Sequence, residues 1–327
     1  MSDPRAPVAD WLLRHGFVLI MAGFFLFFAL TARSFLTPGN LLDLLEGNAV
    51  LLILALAMTL IVAGGGIDLS IGVALDFGAA FAMVALKEYG APGAVAVLAA
   101  LVGGALVGAV NAGLIVGLRV SPFLATLSVL FIGSSIERIY TEGGGPISFR
   151  QMPVSYRELA TGDLFGVPGE LVMALLVLVV CYVVLELSIH GKRIHAIGLQ
   201  RRAAEVAGIR IGRYLAVTFV AASAICALGG VILSANLRQF TPLTGSSYLL
   251  QAIAAVFIGA SLHPRARRYE RRGRDGAVMH LGLVDGETPH VDAVEAQHRA
   301  FGWKAAAGVL RAAGDAAEDF GQAQPMR

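Results

Sequence analysis

The sequence predicts an all-α, polytopic transmembrane helical bundle with about eight spans. Composition is the first ground. Of the 327 residues, 57% are hydrophobic and 15% charged, and a mean hydropathy of +0.73 leaves too little polar surface for a soluble domain of this size. Length is the second, because apolar runs near the roughly 20 residues needed to cross a hydrocarbon core recur along the chain. Charge placement is the third. Lys192, Arg193, Arg201, Arg202, Arg210 and Arg213 face one acid, Glu205, in a segment between two such runs. That bias holds a loop on the cytoplasmic side of a membrane.

The apolar run Phe17–Leu30 follows Arg5 and Arg14 but precedes no small-residue cleavage site, so it is expected to stay in the mature chain as the first span. Candidate spans are residues 15–33, 48–65, 67–86, 93–117, 122–141, 169–189, 213–235 and a short 248–262. With the N-terminus cytoplasmic, loops 118–121 (Arg119) and 190–212 lie inside. Loop 142–168, with Arg150 and Arg157 against Glu142, Glu158 and Asp163, lies outside, in accord with the charge rule. Span four carries Ala100, Gly104, Gly108 and Ala112, with Gly113 and Gly117 on a neighbouring stripe. Small residues at every fourth position let helix backbones approach closely in lipid.

The polar breaks bear more on function. Ala63-Gly64-Gly65-Gly66-Ile67-Asp68-Leu69-Ser70 sets three glycines and an aspartate between two apolar runs. Unpaired backbone in lipid costs several kcal/mol per group, so a break at depth must be buried in protein or line a water-filled path. Asp68 therefore reads either as a pathway residue or as a cap on the next helix at the membrane surface. Asp76, Asn111, Thr126, Asn236 and the pair Glu137/Arg138 also fall inside apolar runs. Each alone suits an interhelical hydrogen bond; as a set they suggest an aqueous path. The pathway candidates are Asp68, Ser70, Asn111, Thr126 and Asn236. Residues Arg201–Gly208 read as a short helix ending at a glycine.

Soluble catalytic patterns are lacking. His15, His190 and His195 have no zinc spacing, no nucleophile elbow occurs, and Gly191-Lys192 is preceded by Glu186 where a P-loop needs glycine. Cys181 and Cys226 sit in apolar runs and read as small buried residues. No metal or cofactor is expected on this chain, and ATP, if it drives the protein, binds elsewhere. The net charge of +2 gives no sign of a nucleic-acid partner.

Several fragments, in order, resemble the permease subunit of bacterial ABC importers for monosaccharides of the ribose/xylose/galactose type, over about residues 30–262. They are Phe35-Leu36-Thr37-Pro38-Gly39-Asn40-Leu41, Gly65-Gly66-Ile67-Asp68-Leu69-Ser70-Ile71-Gly72, Asn111-Ala112-Gly113, Ser121-Pro122-Phe123-Leu124-Ala125-Thr126-Leu127, Ala196-Ile197-Gly198, Ala203-Ala204 with Gly208-Ile209, and Ala252-Ile253-Ala254-Ala255-Val256-Phe257-Ile258-Gly259. The resemblance implies a multi-pass protein of the bacterial inner membrane working by alternating access. Its partners would be a separate ABC ATPase subunit, a periplasmic sugar-binding protein, and a second permease copy or close paralogue, all set in membrane lipid. It also implies that Arg202, Ala203, Ala204, Glu205 and Gly208 form the ATPase-coupling helix of loop 190–212. Arg202 stands where the family has glutamate. The competing class is an ion-coupled secondary carrier or channel for a small solute, which the acids and glycine breaks alone would allow. An intramembrane enzyme lacks a matched nucleophile and base.

After the permease domain, residues 1–262, the chain changes character. Residues 263–327 hold ten Lys/Arg, nine Asp/Glu and four of the seven histidines, with Arg265, Arg267, Arg268, Arg271, Arg272 and Arg274 crowded together. The family would continue with a glycine-rich turn and two more spans. The expectation is an out-of-frame or disordered charged tail, C-terminal spans missing, and a chain inactive as written. A cytoplasmic regulatory tail and a natural short variant are the alternatives.

Overall fold

The computed structural model describes residues 6–164 and 166–261, with side chains between residues 16 and 260. The charged tail, 263–327, lies outside the described residues. The chain divides into two units, residues 37–256 and the remainder.

The smaller unit is described through α1 (Ala6–Thr31) and the segment after it. Phe25 and Phe28 bring their rings to 5.3 and 5.8 Å from that of Phe35, folding the segment back on the helix end.

The larger unit opens with α2 (Pro38–Gly47), which starts at a proline in the first-turn position where its missing N–H costs nothing. It continues at a 47° bend into α3 (Ala49–Ala63). Then come α4 (Ile71–Lys87) and α5 (Gly93–Ala112), prolonged by a π-helical turn, Gly113–Gly117, and α6 (Pro122–Tyr140). A short helix, α7 (Val154–Thr161), lies between two-residue strands, β1 (Ile147–Ser148) before it and β2 (Asp163–Leu164) and β3 (Val167–Pro168) after it. The helix α8 (Gly169–Tyr182) also ends in a π-turn, Val183–Leu187. After α9 (Ile189–Leu199) and α10 (Arg201–Val206), the 27-residue α11 (Ile211–Leu237) leads through β4 (Gln239–Phe240) to α12 (Gly245–Ser261). Strand β1 pairs antiparallel with β4, and β2 with β3.

Small residues set the packing. A Cβ on Gly104 would stand 2.4 Å from the Ser223 carbonyl oxygen, and one on Gly108 2.6 Å from that of Phe219. The predicted small-residue stripe is thus the seam between α5 and α11. Gly113 and Gly117, on the other stripe, meet nothing within 4 Å. Gly230 lets α11 close on α4 in the same way, 2.1 Å from the Leu75 carbonyl oxygen. Such contacts replace the hydrophobic drive that lipid cannot supply. α11 is the hub, with 61% of its apolar window buried against 28% for α6. The outer faces of α6 and α8 expose Phe131, Ile132, Leu176 and Val179.

Each predicted apolar run overlaps a helix, but among the described residues four helices are long and apolar enough to span a membrane: Gly93–Gly117, Pro122–Tyr140, Gly169–Leu187 and Ile211–Leu237. The bent pair of α2 and α3 makes five. The apolar parts of α1 and α12, Gly16–Thr31 and Gly245–Ala260, are shorter. The break at residues 64–70 shortens α4 to 17 residues. Neither α2 nor α7 was foreseen. Tyr156 anchors α7, its hydroxyl 2.7 Å from Ser234 Oγ on α11, and burial pushes its phenol above the ordinary range. Cys181 and Cys226 are free and buried, as expected.

Candidate functional site

The helix α3 stops at the glycine run because two backbone bonds close its end. Gly65, at φ +78°, donates its N–H to the Val62 carbonyl, and Gly66 donates to Ile61. This Schellman closure needs a left-handed residue, which glycine supplies without a Cβ clash. The chain then turns inward. Asp68 Oδ1 accepts from the Ser70 N–H at 2.7 Å and from the Ser70 hydroxyl at 2.6 Å. Asn111 Nδ2, on α5, donates to Ser70 Oγ at 2.7 Å. All three residues are fully buried. Asp68 thus tethers the first residues before α4, yet it lies in the protein interior and not at a surface. Asp68 Oδ2 and Asn111 Oδ1 find no partner among the described residues, so within them the cluster keeps two buried acceptors free.

The other pathway candidates stand apart from this cluster. Thr126 is buried, but its hydroxyl donates to the Pro122 carbonyl of its own helix at 2.9 Å. Asn236, at the far end of α11, donates to Glu170 Oε1 on α8.

Two acids noted in the sequence have a role that spacing did not reveal. Both oxygens of Asp76 lie 3.0 Å from the Gly245 N–H, and Glu137 Oε2 accepts the Leu243 N–H at 2.8 Å. The first turn of a helix carries N–H groups with no intrahelical partner. Asp76, from α4, takes up that of Gly245 at the start of α12, and Glu137, from α6, takes up that of Leu243 in the turn just before it. Their apolar flanks marked them as unusual; their partners, more than a hundred residues away, left no local signal. Glu170, in the first turn of α8, was missed altogether.

The cytoplasmic-type loop folds as two short helices. Ser188 caps α9, its hydroxyl accepting the Gly191 N–H at 3.1 Å. The helix α10 ends as the glycine predicted. Gly208, at φ +78°, donates to the Glu205 carbonyl and Ile209 to that of Ala204, a second Schellman closure. Arg202, Ala203, Glu205 and Gly208 are exposed, and Ala204 is buried. Arg201 and Glu205 make a loose surface pair at 3.9 Å, which contributes little. Val206 is 91% exposed at the tip. On the inner side, a Cβ on Gly198 at the end of α9 would stand 2.2 Å from the Ala63 carbonyl oxygen and 3.0 Å from the Gly65 amide nitrogen. The loop therefore meets the α3–α4 break backbone to backbone.

Two cavities flank this loop. One, of about 570 Å³, lies between the α5–α6 turn and α10, bordered by Arg119, Ser121, Arg201 and Glu205. The other, of about 400 Å³, is bordered by Arg193, Arg210, Arg213 and Tyr214. None of the five pathway candidates lines either. Among the described residues, no cluster of three or more His, Cys, Asp or Glu could hold a metal ion.

Residues 40–266 match the family described as branched-chain amino acid transport system / permease component. The chain belongs to this family. Among similar proteins, the ribose import permease protein of Bacillus subtilis (strain 168) is 32% identical over 228 residues, 70% of each chain. That of Escherichia coli (strain K12) is 30% identical over 264 residues, 80% of this chain and 81% of the relative. The galactofuranose transporter permease protein of Escherichia coli (strain K12) is 31% identical over 223 residues, 68% of this chain and 64% of the relative. No solved structure matches. The match takes in the α3–α4 break, the loop of α9 and α10, and α12.

Proposed function

We propose that the chain is the membrane-spanning permease subunit of an ATP-driven importer that moves a monosaccharide across the bacterial inner membrane. The observation that carries this reading is the loop of α9 and α10: an exposed, glycine-closed helix on one face, in backbone contact with the α3–α4 break on the other. Family membership and the ribose and galactofuranose relatives support the substrate class. An ion-coupled carrier would have no use for such a dock.

In this reading the nucleotide is bound and hydrolysed on a separate ABC ATPase subunit, which seats α10. A periplasmic sugar-binding protein delivers substrate, and a second permease copy or paralogue completes the pore. The N-terminus is cytoplasmic, and the shorter helices α1, α4 and α12 each serve as a span, about eight in all. Motion of α10 passes through α9 and Gly198 to the α3–α4 break, where the Asp68–Ser70–Asn111 knot holds α4 against α5. Opening that knot would present two carboxylate oxygens, a hydroxyl and an amide. Such groups hydrogen-bond sugar hydroxyls.

The test is reconstitution of the permease with an ATPase and a binding protein in proteoliposomes. Labelled ribose uptake should require both partners and ATP. Uptake driven by an ion gradient without the ATPase would establish the carrier instead.

A further inference from the structure

The cavity at the foot of α11 collects positive charge without an acid to balance it. Arg193 comes from α9, and Arg210, Arg213 and Tyr214 come from the start of α11; Ala207, Gly208 and Ile209 complete the lining. Arg193 is fixed in place. Its guanidinium donates to the Tyr214 hydroxyl and lies 5.4 Å from the ring centroid, a cation–π arrangement. The His190 ring backs Tyr214 at 5.0 Å and meets Thr218 Oγ1 at 3.3 Å. Burial holds His190 below its ordinary pKa, and the arginines supply the charge of the cavity lining. The ion pair among the described residues, Arg201–Glu205, borders the other cavity. Guanidinium groups are planar, permanently charged forks that match the oxygens of a phosphate ester.

Above the cavity, Arg213, Val217 and Ala221 stand exposed at successive turns of α11. The charged mouth therefore continues into an apolar stripe on a membrane-spanning helix, which a soluble phosphate would leave unused and an acyl chain would cover. The tip of α10 presents the apolar Val206, 91% exposed, and none of these arginines lies on α10. We propose that Arg193, Arg210 and Arg213 bind the phosphate of an anionic phospholipid whose acyl chains lie along Val217 and Ala221. The geometry is independent of sidedness; the orientation proposed above adds that the lipid belongs to the inner leaflet.

The full chain, purified in detergent, is titrated with phosphatidylglycerol, phosphatidylcholine or inorganic phosphate and followed by native mass spectrometry and thermal unfolding. Phosphatidylglycerol should be retained selectively and should raise the unfolding temperature. Arg193→Gln with Arg213→Gln should weaken that retention by about thirty-fold, from about 1 kcal/mol per juxtamembrane arginine at 1.4 kcal/mol per tenfold. Lys192→Gln with Arg119→Gln removes equal charge from side chains that do not line the cavity and should weaken retention clearly less. A monodisperse elution profile separates lost binding from lost fold. Equal retention of both lipids, or equal loss in both double variants, overturns the site. An unfolding shift reproduced by phosphate alone overturns the lipid as its source. Unchanged lipid retention with weaker co-purification of the ATPase would assign the arginines to a protein contact instead.

Discussion

Replacing Gly198 with alanine puts one methyl group where the loop meets the broken span. The added Cβ would sit 2.2 Å from the Ala63 carbonyl oxygen and 3.0 Å from the Gly65 nitrogen. Carbon and carbonyl oxygen approach no closer than about 3.3 Å even in favourable contacts, so α9 and the end of α3 must part by roughly 1 Å. Both sides are backbone, and neither can swing away as a side chain would. Overpacking of this kind costs about 1–3 kcal/mol. Spent on one of two states of a coupled machine, that shifts their balance by about 5–150-fold. Expected is a permease that reaches the membrane and binds its ATPase but loses most sugar-stimulated ATP hydrolysis and uptake; Gly198→Val should lose more. Gly113→Ala, where nothing lies within 4 Å, is the matched control and should transport normally. Two results would refute the reasoning. Wild-type coupling in Gly198→Ala would mean the contact transmits nothing, and loss of membrane protein in proportion to uptake would make it purely structural.

Ser70→Ala removes the hydroxyl that joins Asp68 to Asn111 and leaves an amide donor buried without a partner, at a cost of about 1–3 kcal/mol. Thermal unfolding in detergent should fall accordingly, and uptake per molecule should drop; unchanged uptake would remove the knot from the pathway. On α10, exposed Ala203 and buried Ala204 should part company. Ala203→Trp should abolish ATPase stimulation with normal protein levels, whereas Ala204→Trp should lower the level of folded protein, as immunoblots of membranes and gel filtration would show.

Local patterns proved legible wherever the physics is local. Ala100, Gly104, Gly108 and Ala112 recur at the helix repeat, and their spacing alone named the face that now meets Ser223 and Phe219. The end of α10 was legible for the same reason, since a left-handed closure must be encoded at the helix terminus, and Gly208 occupies that position. Partnerships across the chain were not. Sequence marked Asp68, Ser70, Asn111, Thr126 and Asn236 as polar in apolar surroundings, and this is a statement about cost, not about who relieves it. Asn111 reaches Ser70 across 41 positions, while Thr126 turns to its own helix and Asn236 to Glu170. Nothing in the five residues themselves separates these outcomes. The Gly198 contact shows the same limit from the other side. It joins two glycines that the sequence displayed in separate motifs, each with a local use, and only their meeting gives them a shared one. A coupling route between an ATPase dock and a transport path has to be made of such long-range contacts, because each motif serves one end of it alone.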